Sequence, residues 1–414
     1  MSPTPRAVVL LALAALTGLR LPWQVAGTIM LAVAVVTLVD AWLVRQVPDV
    51  TRTTSPILSR GVPSRIEIGV AGRWPRIRLR QAATPDIRIT PQEGERTLDA
   101  EIVALRRGTH PLVPVATRTT GPLGLGSWYH RSGSTGQVTV FPDMPAARRI
   151  ATSVRMGHFR EEGRRTRGPL GLGTEFESVR EYRPDDDIRQ LNWTATARTG
   201  TPMSNQFRIE QDRDIICLVD CGRLMAARVE DRTRLDAAVD AVAALAAVAD
   251  QVGDRIGVVA FDRKVLRSLA PRRDGGRAVV QAIHDLEPSD ADSDFDLAIR
   301  SVLGRKRAFV VIFTDLVDIA AARPLSAAIP VLARKHAVAV ASLTDPDLMA
   351  GLVQPAGDRA GLMRSAASIQ LIEAKESVTA LLRHRGVDVV EAGLHELSSR
   401  CVAAYLRAKA RARL

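Results

Sequence analysis

The chain has 414 residues, enough for two or three domains and a well-buried core. Lysine and arginine number 57 against 45 acidic residues, and the excess lies in residues 45–142 and in the tail 407–413. The tail has no interleaved aromatic residues, so we expect no nucleic-acid partner. Attraction to anionic lipid headgroups is the simpler account of the charge if the chain is anchored in a membrane.

The first 46 residues contain two apolar segments. Trp23–Val44 is long enough to cross a bilayer, which takes about 20 residues. Ala7–Leu19 reaches that length only if Arg6 and Arg20 extend toward the headgroups. We therefore predict a transmembrane helical hairpin over residues 1–46, which anchors the chain in membrane lipid.

Arginines are more numerous outside this hairpin than between its segments. The positive-inside rule then places the soluble domains on the cytoplasmic side of a bacterial inner membrane. A cleaved signal peptide with Leu10–Leu16 as its apolar region, followed by one span, is the alternative and gives the same orientation. Asp40 falls near the end of the second segment, and we expect it to reach the interface without a function.

Residues 50–142 show short runs of alternating apolar residues separated by glycine and proline. The clearest runs are Arg65–Val70, Arg76–Arg80, Ile87–Thr90, Glu101–Leu105 and Gln137–Phe141. Period two with regular turns predicts a β-rich, sandwich-like domain. Its one histidine flanked by proline, His110, is expected in a turn or on the surface. Residues 143–172, rich in arginine and glycine, are expected to form a linker.

Residues 173–212 form the most distinctive segment, in which arginines alternate with carboxylates around Tyr182, Asn192 and Trp193. We expect a turn at Pro184, then a short helix, because Ile188, Leu191 and Ala195 recur at helical spacing. A solvated connector explains this composition as well as a packed signature does. The order of the residues decides between them.

That order resembles the signature of the bacterial family called domain of unknown function 58, or DUF58. The family pattern reads approximately G-T-E-F-x-x-x-R-E-Y-x-x-G-D-D-x-R-x-I-N-W-x-x-x-A-R, and residues 173–198 follow it. The family's glycine before the paired aspartates is Asp185 here. The positions that we take as signature or interaction residues are Arg180, Tyr182, Arg183, Asp186, Asp187, Arg189, Asn192, Trp193 and Arg198.

Residues 213–414 alternate apolar strands with amphipathic helices. The expected strands are Asp214–Val219, Arg255–Phe261, Ala308–Thr314, Ala337–Leu343 and Val387–Val390, with Lys264–Leu269 as an edge strand. The expected helices lie at about 233–251, 276–286, 295–303, 325–336 and 362–385, with a last helix from about 394. Continuous apolar strands between such helices predict a doubly wound α/β domain with a mostly parallel sheet.

Asp220 and Asp315 follow two of these strands, where ligands bind in such sheets. The layout is similar to the von Willebrand factor A-like fold that the family is held to share, and that resemblance implies a metal-ion-dependent adhesion site for Mg²⁺. Gly222, Leu224 and Phe295 stand at three of its five ligand positions and lack a side-chain oxygen. We therefore expect no cofactor, and Asp220 and Asp315 would then cap neighbouring helices and loops. The substitute oxygens for an ion are those of Asp290, Asp292 and Asp294.

No nucleotide-binding, metalloprotease or nucleophile-elbow motif occurs in a supporting context, so we do not expect an enzyme. The family resemblance implies a membrane-anchored, non-catalytic interaction module. It would work with a MoxR-type AAA+ ATPase in the assembly or activation of other proteins at the cell envelope. One alternative is an Mg²⁺-dependent ligand-binding protein, and another is a hydrolase with Cys221 or Asp220 as nucleophile.

The three cysteines, Cys217, Cys221 and Cys401, are too few for a disulfide framework and lack the C-x-x-C spacing of redox or zinc sites. Cys217 lies within a predicted strand, so we expect a buried free thiol. The histidines of the α/β segment fall at scattered positions in or beside predicted helices, where surface or capping roles are expected. They are His284, His336, His384 and His395.

Overall fold

A computed structural model describes the chain in two compact units, Met1–Phe141 and Pro142–Leu414. The described residues are 1–133, 135–156, 159–161, 164–165, 175–183, 188–208, 212–316, 319–346, 348, 350 and 359–410. Side chains are described for most of these, but not for 160–161, 164–165, 175–177, 189, 206–208 and 319–322.

The first unit begins with two helices, α1 (Pro5–Thr17) and α2 (Trp23–Leu43). Thr4 caps α1 by accepting a hydrogen bond from the amide of Ala7. Within the described residues, α2 alone is long and apolar enough to cross a membrane, with a mean hydropathy of 2.0. The second predicted segment is thus a candidate span, whereas α1, with 13 residues, is too short by itself.

Asp40 is buried, whereas we expected it to be exposed at the membrane interface. Its buried carboxylate accepts hydrogen bonds from the amides of Leu123, Leu125 and Gly126 at 2.8–2.9 Å. A Cβ on Gly121 would lie 2.3 Å from the Asp40 carboxyl carbon and 2.5 Å from its carbonyl oxygen. The glycine is therefore required by the close approach of this loop to α2.

The rest of this unit is built from strands in three sheets. The first has the order β1 (Ser2–Pro3), β11 (Gly126–Ser132), β10 (Val115–Thr120), β5 (Arg76–Arg80) and β7 (Glu93–Glu95). The second has β2 (Val50–Thr54), β4 (Ser64–Val70), β8 (Thr97–Ala104) and β6 (Ile87–Thr90). The third has β3 (Ile57–Ser59), β12 (Gly136–Phe141) and β9 (Gly108–Leu112).

One hydrophobic core joins these three sheets, with residues such as Leu58, Ile66 and Leu79 each drawn from a different sheet. The five predicted strands are present with shifts of a few residues. β10 and β11 escaped prediction because their buried positions hold hydroxyl side chains, among them Thr117 and Ser132, rather than aliphatic ones.

His110 lies on strand β9 and not in a turn. Its Nδ1 is 3.5 Å from a carboxylate oxygen of Asp86, and its Nε2 is within hydrogen-bond distance of the carbonyls of Arg106 and Arg107. The histidine thus ties two strand ends together. We had not anticipated its carboxylate partner.

The second unit begins with a helix where we expected a linker. α3 (Met144–Arg155) is capped by Asp143, whose carboxylate accepts from the amide of Ala146, and Ala147, Ala151 and Val154 are buried. Two short strands follow, β13 (Arg160–Glu161) and β14 (Arg164–Arg165). Arginines between the small residues obscured the helical stripe in the sequence.

The signature segment forms an antiparallel pair of strands, β15 (Glu175–Glu181) and β16 (Met203–Arg208). A 3₁₀ turn (Ile188–Gln190) and the short helix α4 (Trp193–Thr199) lie between them. The short helix that we expected to contain Ile188, Leu191 and Ala195 is therefore divided. Gly200 ends α4 with a positive φ of 75°.

A six-stranded sheet forms the centre of the unit. Its order is β21 (Val265–Arg272), β20 (Arg255–Phe261), β17 (Asp214–Asp220), β22 (Ala308–Phe313), β23 (Ala337–Leu343) and β24 (Asp388–Ala392). All pairs are parallel except β20 with the edge strand β21. A small antiparallel pair, β18 (Arg228–Val229) and β19 (Arg232–Thr233), follows β17 and a 3₁₀ turn at Arg223–Ala226. The predicted mixed α/β architecture is confirmed at this level.

Helices cover both faces of this sheet. Their bounds are α5 (Arg234–Val252), α6 (Gly276–Ile283), α7 (Phe295–Leu303), α8 (Ile319–Ala333), α9 (Arg359–His384) and α10 (Leu397–Ala410). Ile216 and Leu218 share a core with residues of α7, α8 and α9. Phe309 points to the opposite face, where it contacts Tyr405 of α10.

Part of the basic tail is buried. Tyr405 and Lys409 both donate to the carboxylate of Asp254, with a Lys409 Nζ–Oδ2 distance of 2.5 Å. Arg407 pairs with Asp388 at 3.1 Å. These two cations therefore hold α10 on the sheet, contrary to our expectation that they attract lipid. Residues 411–414 lie outside the described part of the chain.

Candidate functional site

The buried carboxylate of Asp220 ends strand β17 and is surrounded by donors. Its Oδ1 accepts from the amide of Gly222 at 2.7 Å and from the hydroxyl of Ser293. Its Oδ2 accepts from the hydroxyl of Thr314 at 2.6 Å. Asp220 thus fixes the loop that follows its strand, as the capping interpretation predicts.

Ser293 occupies the space that a side chain at position 222 would fill. A Cβ on Gly222 would lie 2.1 Å from the Ser293 hydroxyl oxygen and 2.9 Å from the carbonyl oxygen of Ala291. A hydroxyl from a distant loop therefore replaces one that residue 222 would otherwise supply. Sequence reasoning missed both hydroxyl partners, although Ser293 lies in the aspartate-rich run and Thr314 directly precedes Asp315.

The second carboxylate, Asp315, follows β22 and pairs with a cation. The guanidinium of Arg234 lies 2.8 Å from its Oδ1, and the two side chains are only 10% and 5% exposed. Ser342 also donates to Asp315 at 3.3 Å. Arg234 is the first residue of α5, where a helix dipole disfavours a cation, so the carboxylate offsets that repulsion.

A wider charge network surrounds this pair. Arg234 also reaches Asp345 at 3.5 Å and the carbonyl of Leu343 at 3.3 Å. Lys375 of α9 donates to the same carbonyl at 2.9 Å and lies 3.7 Å from Glu391. The end of β23 is therefore bound by two cations from different helices.

Burial raises the pKa of Asp220, and the hydrogen bonds from Ser293, Thr314 and Gly222 oppose the shift only in part. Burial likewise raises the pKa of Asp315, against the opposing field of Arg234 and Lys375. The pKa of Lys375 is lowered by burial, which the carboxylates of Asp315 and Glu391 partly counteract. In all three groups the effect of burial on the pKa outweighs that of the neighbouring donors and charges.

This donor set does not fit an Mg²⁺ site. The carboxylate of Asp315 is engaged by Arg234, and neither Gly222 nor Leu224 brings an oxygen-bearing side chain to Asp220. Among the described residues, no group of three histidine, cysteine, aspartate or glutamate side chains could hold a metal ion. A guanidinium and two hydroxyls satisfy the carboxylates that an ion would otherwise bridge.

Two of the three carboxylates considered as substitutes, Asp292 and Asp294, have other contacts. Asp292 pairs with Arg223 at 2.5 Å on the surface, and Asp294 caps α7 by accepting from the amide of Leu297 at 2.9 Å. Ser293, between them, is the residue that reaches Asp220. The run 290–294 thus contributes the hydroxyl of Ser293 to the carboxyl end of strand β17.

The signature segment 175–208, here called the signature hairpin, is held together by Asn192. Its Oδ1 accepts from the amide of Ala195 at 2.9 Å and caps α4, and its Nδ2 donates to Asn205 at 2.7 Å. The hydroxyl of Thr196 accepts from the amide of Met203 at 2.9 Å. Side chains of the hairpin therefore fix α4 on β16.

Two large apolar side chains of the hairpin face solvent. Trp193 is 72% exposed and Ile188 is 70% exposed. Arg183 and Arg198 are exposed as well, Tyr182 is half-buried, and Arg180 donates to the carbonyl of Glu181 at 2.9 Å. The predicted turn at Pro184, the Asp185 departure, Asp186, Asp187 and the side chain of Arg189 lie outside the described residues.

The three thiols are buried, and burial raises the pKa of Cys217 to about 12 and raises that of Cys401. The sulfur of Cys221 is 3.7 Å from the carbonyl oxygen of Val219. His336 is buried, which lowers its pKa. The three thiols therefore lie away from the surface of the unit, where a nucleophile would meet its substrate.

Two comparisons with known proteins bear on this unit. Residues 178–358 match the family described as Protein of unknown function DUF58, which confirms the resemblance over that span. Uncharacterized protein Mb1516 of Mycobacterium bovis and uncharacterized protein Rv1480 of Mycobacterium tuberculosis are each 27% identical over 183 residues. The match covers 42% of this chain and 56% of each relative, so the chain spans little more than half of their length.

Proposed function

We propose that this chain, which matches the DUF58 family over residues 178–358, is a membrane-anchored, non-catalytic interaction module for a MoxR-type AAA+ ATPase. In this proposal the signature hairpin is the docking surface and α2 is the anchor. The observation that carries it is the exposure of Trp193 on a hairpin whose own side chains hold it in place.

Trp193 has the properties of an interface anchor. It is the first residue of α4, and the Asn192 cap beside it fixes the backbone from which the indole projects. Exposed tryptophan and isoleucine are costly in water, and tryptophan and arginine dominate the binding energy of protein interfaces. Trp193, Ile188 and Arg198 together supply that chemistry.

The carboxyl ends of strands β17 and β22 present fewer available groups for a partner to bind. The carboxylates of Asp220 and Asp315 already have internal donors and a cation, so a ligand would have to displace Arg234 or Ser293. This favours the hairpin over an Mg²⁺-dependent ligand site. A hydrolase would need access to the buried Cys221 or to Asp220, so covalent labelling that disappears on mutation of either residue would support that reading instead.

The membrane part of the proposal is supported by α2 and by the apolar side chains that α1 exposes. In the expected topology the soluble parts face the cytoplasm, where an ATPase has access to them. The fold proposed for residues 213–414 is of the von Willebrand factor A-like type, supported by the parallel sheet order and the position of Asp220.

The decisive experiment is capture of the ATPase by the detergent-solubilised full chain, with a photocrosslinker at position 188. Trp193→Ala should weaken binding of the purified MoxR-type ATPase by about 30-fold, the loss typical of an interface hot spot of about 2 kcal/mol. Leu362→Ala, at an exposed apolar position of α9, is the matched control and should bind normally. Failure to crosslink an ATPase, or equal binding by Trp193→Ala, would disprove the proposal.

A further inference from the structure

The first unit contains a cavity of about 560 Å³ that is lined by five arginines and a single carboxylate. It lies at the N-terminus of α1, where Thr4 and Pro5 form part of its wall. We call it the arginine pocket. Its charged side chains are Arg6, Arg76, Arg78, Arg96, Arg118 and Glu95.

The strand register forces like charges together in this pocket. Arg76 and Arg78 alternate with buried Ile77 and Leu79, so they share the outer face of β5. Arg118 of β10 is directly opposite Arg78 across the antiparallel pair. Like charges directly opposite each other destabilise a sheet. The ring of Tyr129, whose centroid lies 5.5 Å from the Arg118 guanidinium carbon, offsets this only in part, because it carries no full negative charge.

Arg76 also meets a cation of α1, Arg6, at the loop that Asp40 holds. A Cβ on Gly124 would lie 2.8 Å from Nη1 of Arg76 and 3.4 Å from Nη1 of Arg6. Both guanidinium groups therefore approach the same point. Gly124 has a φ of +72°, and its lack of a side chain leaves the space between the two groups open.

The protein itself supplies little counter-charge. Arg78 is 3.9 Å from Glu95, and Arg96 donates to the carbonyl of Gly72 at 3.3 Å. Within the described chain, Arg6, Arg76 and Arg118 form no ion pair with a carboxylate, and Nε of Arg118 is buried without a hydrogen-bond partner. The pocket thus holds at least three cations that an external anion would neutralise.

We infer that the arginine pocket binds the phosphate headgroup of an anionic phospholipid. Guanidinium groups recognise phosphate oxygens through paired hydrogen bonds. The exposed apolar residues Val8, Val9 and Leu10 lie in the next turn of α1 after Arg6, where they offer a surface for acyl chains. Trp74 lines the same pocket, as expected of an aromatic residue at the depth of the headgroups.

A soluble phosphate compound has the same headgroup chemistry but no use for this apolar surface. The lipid therefore accounts for both halves of the site. The inference agrees with the proposed membrane location of the chain but depends on neither the anchor α2 nor the ATPase. It predicts that the pocket fixes the base of α1 against the membrane surface.

The test is retention of lipid by the purified full chain in a neutral detergent, measured by native mass spectrometry. Phosphatidylglycerol, phosphatidylcholine with the same acyl chains, and free glycerol 3-phosphate are added in parallel. The wild-type chain should retain phosphatidylglycerol in preference to both others. Arg76→Gln with Arg118→Gln should lower its retention about 25-fold, or roughly fivefold for each arginine.

Arg88→Gln with Arg131→Gln is the matched control, because both residues are exposed arginines of the same unit outside the pocket. It removes the same charge and should retain lipid like wild type. Arg6→Gln changes an exposed residue of α1, and its roughly fivefold loss decides the question if the double variant does not fold.

Three results would overturn the inference. They are undiminished retention by the Arg76, Arg118 and Arg6 variants, equal retention of the two lipids, and equally tight binding of glycerol 3-phosphate, which would assign the pocket to a soluble ligand. Carbonate extraction of membranes tests the anchor separately. A chain that is extracted but still selects phosphatidylglycerol would refute the anchor and leave the pocket intact.

Discussion

Arg234 and Asp315 form an ion pair of 2.8 Å at the edge of the central sheet, at the position where a metal site would have its last aspartate. The pair connects the first turn of α5 to the end of β22. Because both side chains are nearly buried, each depends on the other for its charge to be tolerated.

Arg234→Gln should therefore lower the free energy of unfolding by roughly 3–5 kcal/mol, the usual cost of leaving one partner of a buried pair. Chemical denaturation of the solubilised chain measures it. Arg228→Gln, at an exposed arginine just before this pair, should change stability by less than about 0.5 kcal/mol. Adding Asp315→Asn to Arg234→Gln should recover part of the loss, and simple additivity of the two changes would contradict the coupling.

Millimolar Mg²⁺ should leave the melting temperature unchanged. A bound ion would raise the melting temperature by mass action. At an ion concentration of 100 times the Kd, the free energy of unfolding would rise by about 2.7 kcal/mol. We expect no rise because Arg234 already neutralises Asp315 and no hydroxyl of residue 222 or 224 is present. A rise that Asp220→Ala abolishes would instead establish the Mg²⁺-dependent alternative.

The buried Asp220 should make stability fall with rising pH. Its folded-state pKa lies above the ordinary value of 3.8, so the native state binds the proton more tightly than the unfolded chain. Its contribution is then fully present below 3.8 and is lost as pH rises through the raised pKa. Asp220→Asn should flatten the dependence of the melting temperature on pH in that window, and an unchanged profile would contradict it.

Asn192 should act on the signature hairpin through its two hydrogen bonds. Asn192→Ala removes the cap of α4 and the contact to Asn205, which should cost about 1 kcal/mol or more and speed hydrogen exchange at Ala195. Asn192→Asp keeps the cap acceptor but loses the donor to Asn205. It should protect Ala195 while loosening β16, and identical exchange in the two variants would contradict the separate roles.

The sequence predicted the central sheet well because each strand is a continuous apolar run between polar turns. The strands Arg255–Phe261 and Ala337–Leu343 and the helix Phe295–Leu303 have the predicted bounds. Local periodicity sufficed there, since both the run and its limits lie within a few residues. It did not suffice for α3, where arginines interrupt the small-residue stripe.

The environment of the two carboxylates could not be predicted in the same way. Ser293 is 73 residues from Asp220 and Thr314 is 94 residues away, so only the folded sheet brings them together. The motif itself shows that Gly222 and Leu224 lack the hydroxyls of a metal site. The motif does not show that Ser293 fills the space beside Gly222, or that Arg234 supplies the positive charge next to Asp315.

The last prediction concerns Asp40, whose carboxylate lies near the end of the apolar helix α2 and anchors the loop 121–126. It accepts three backbone hydrogen bonds there, at Leu123, Leu125 and Gly126. Asp40→Ala should leave these amides without their acceptor, which costs about 1–3 kcal/mol for a buried donor. Hydrogen exchange at Leu123 and Leu125 should then accelerate, and Arg76 and Arg6 should lose their common point of approach at Gly124.

Asp49→Ala, at an exposed aspartate a short distance along the chain, should leave exchange in the loop unchanged. Asp40→Asn is the sharper variant, because it keeps the shape of the side chain but places an NH₂ group against backbone donors. It should weaken retention of phosphatidylglycerol together with loop protection. Loss of loop protection without any loss of lipid would show that the loop and the arginine pocket act independently.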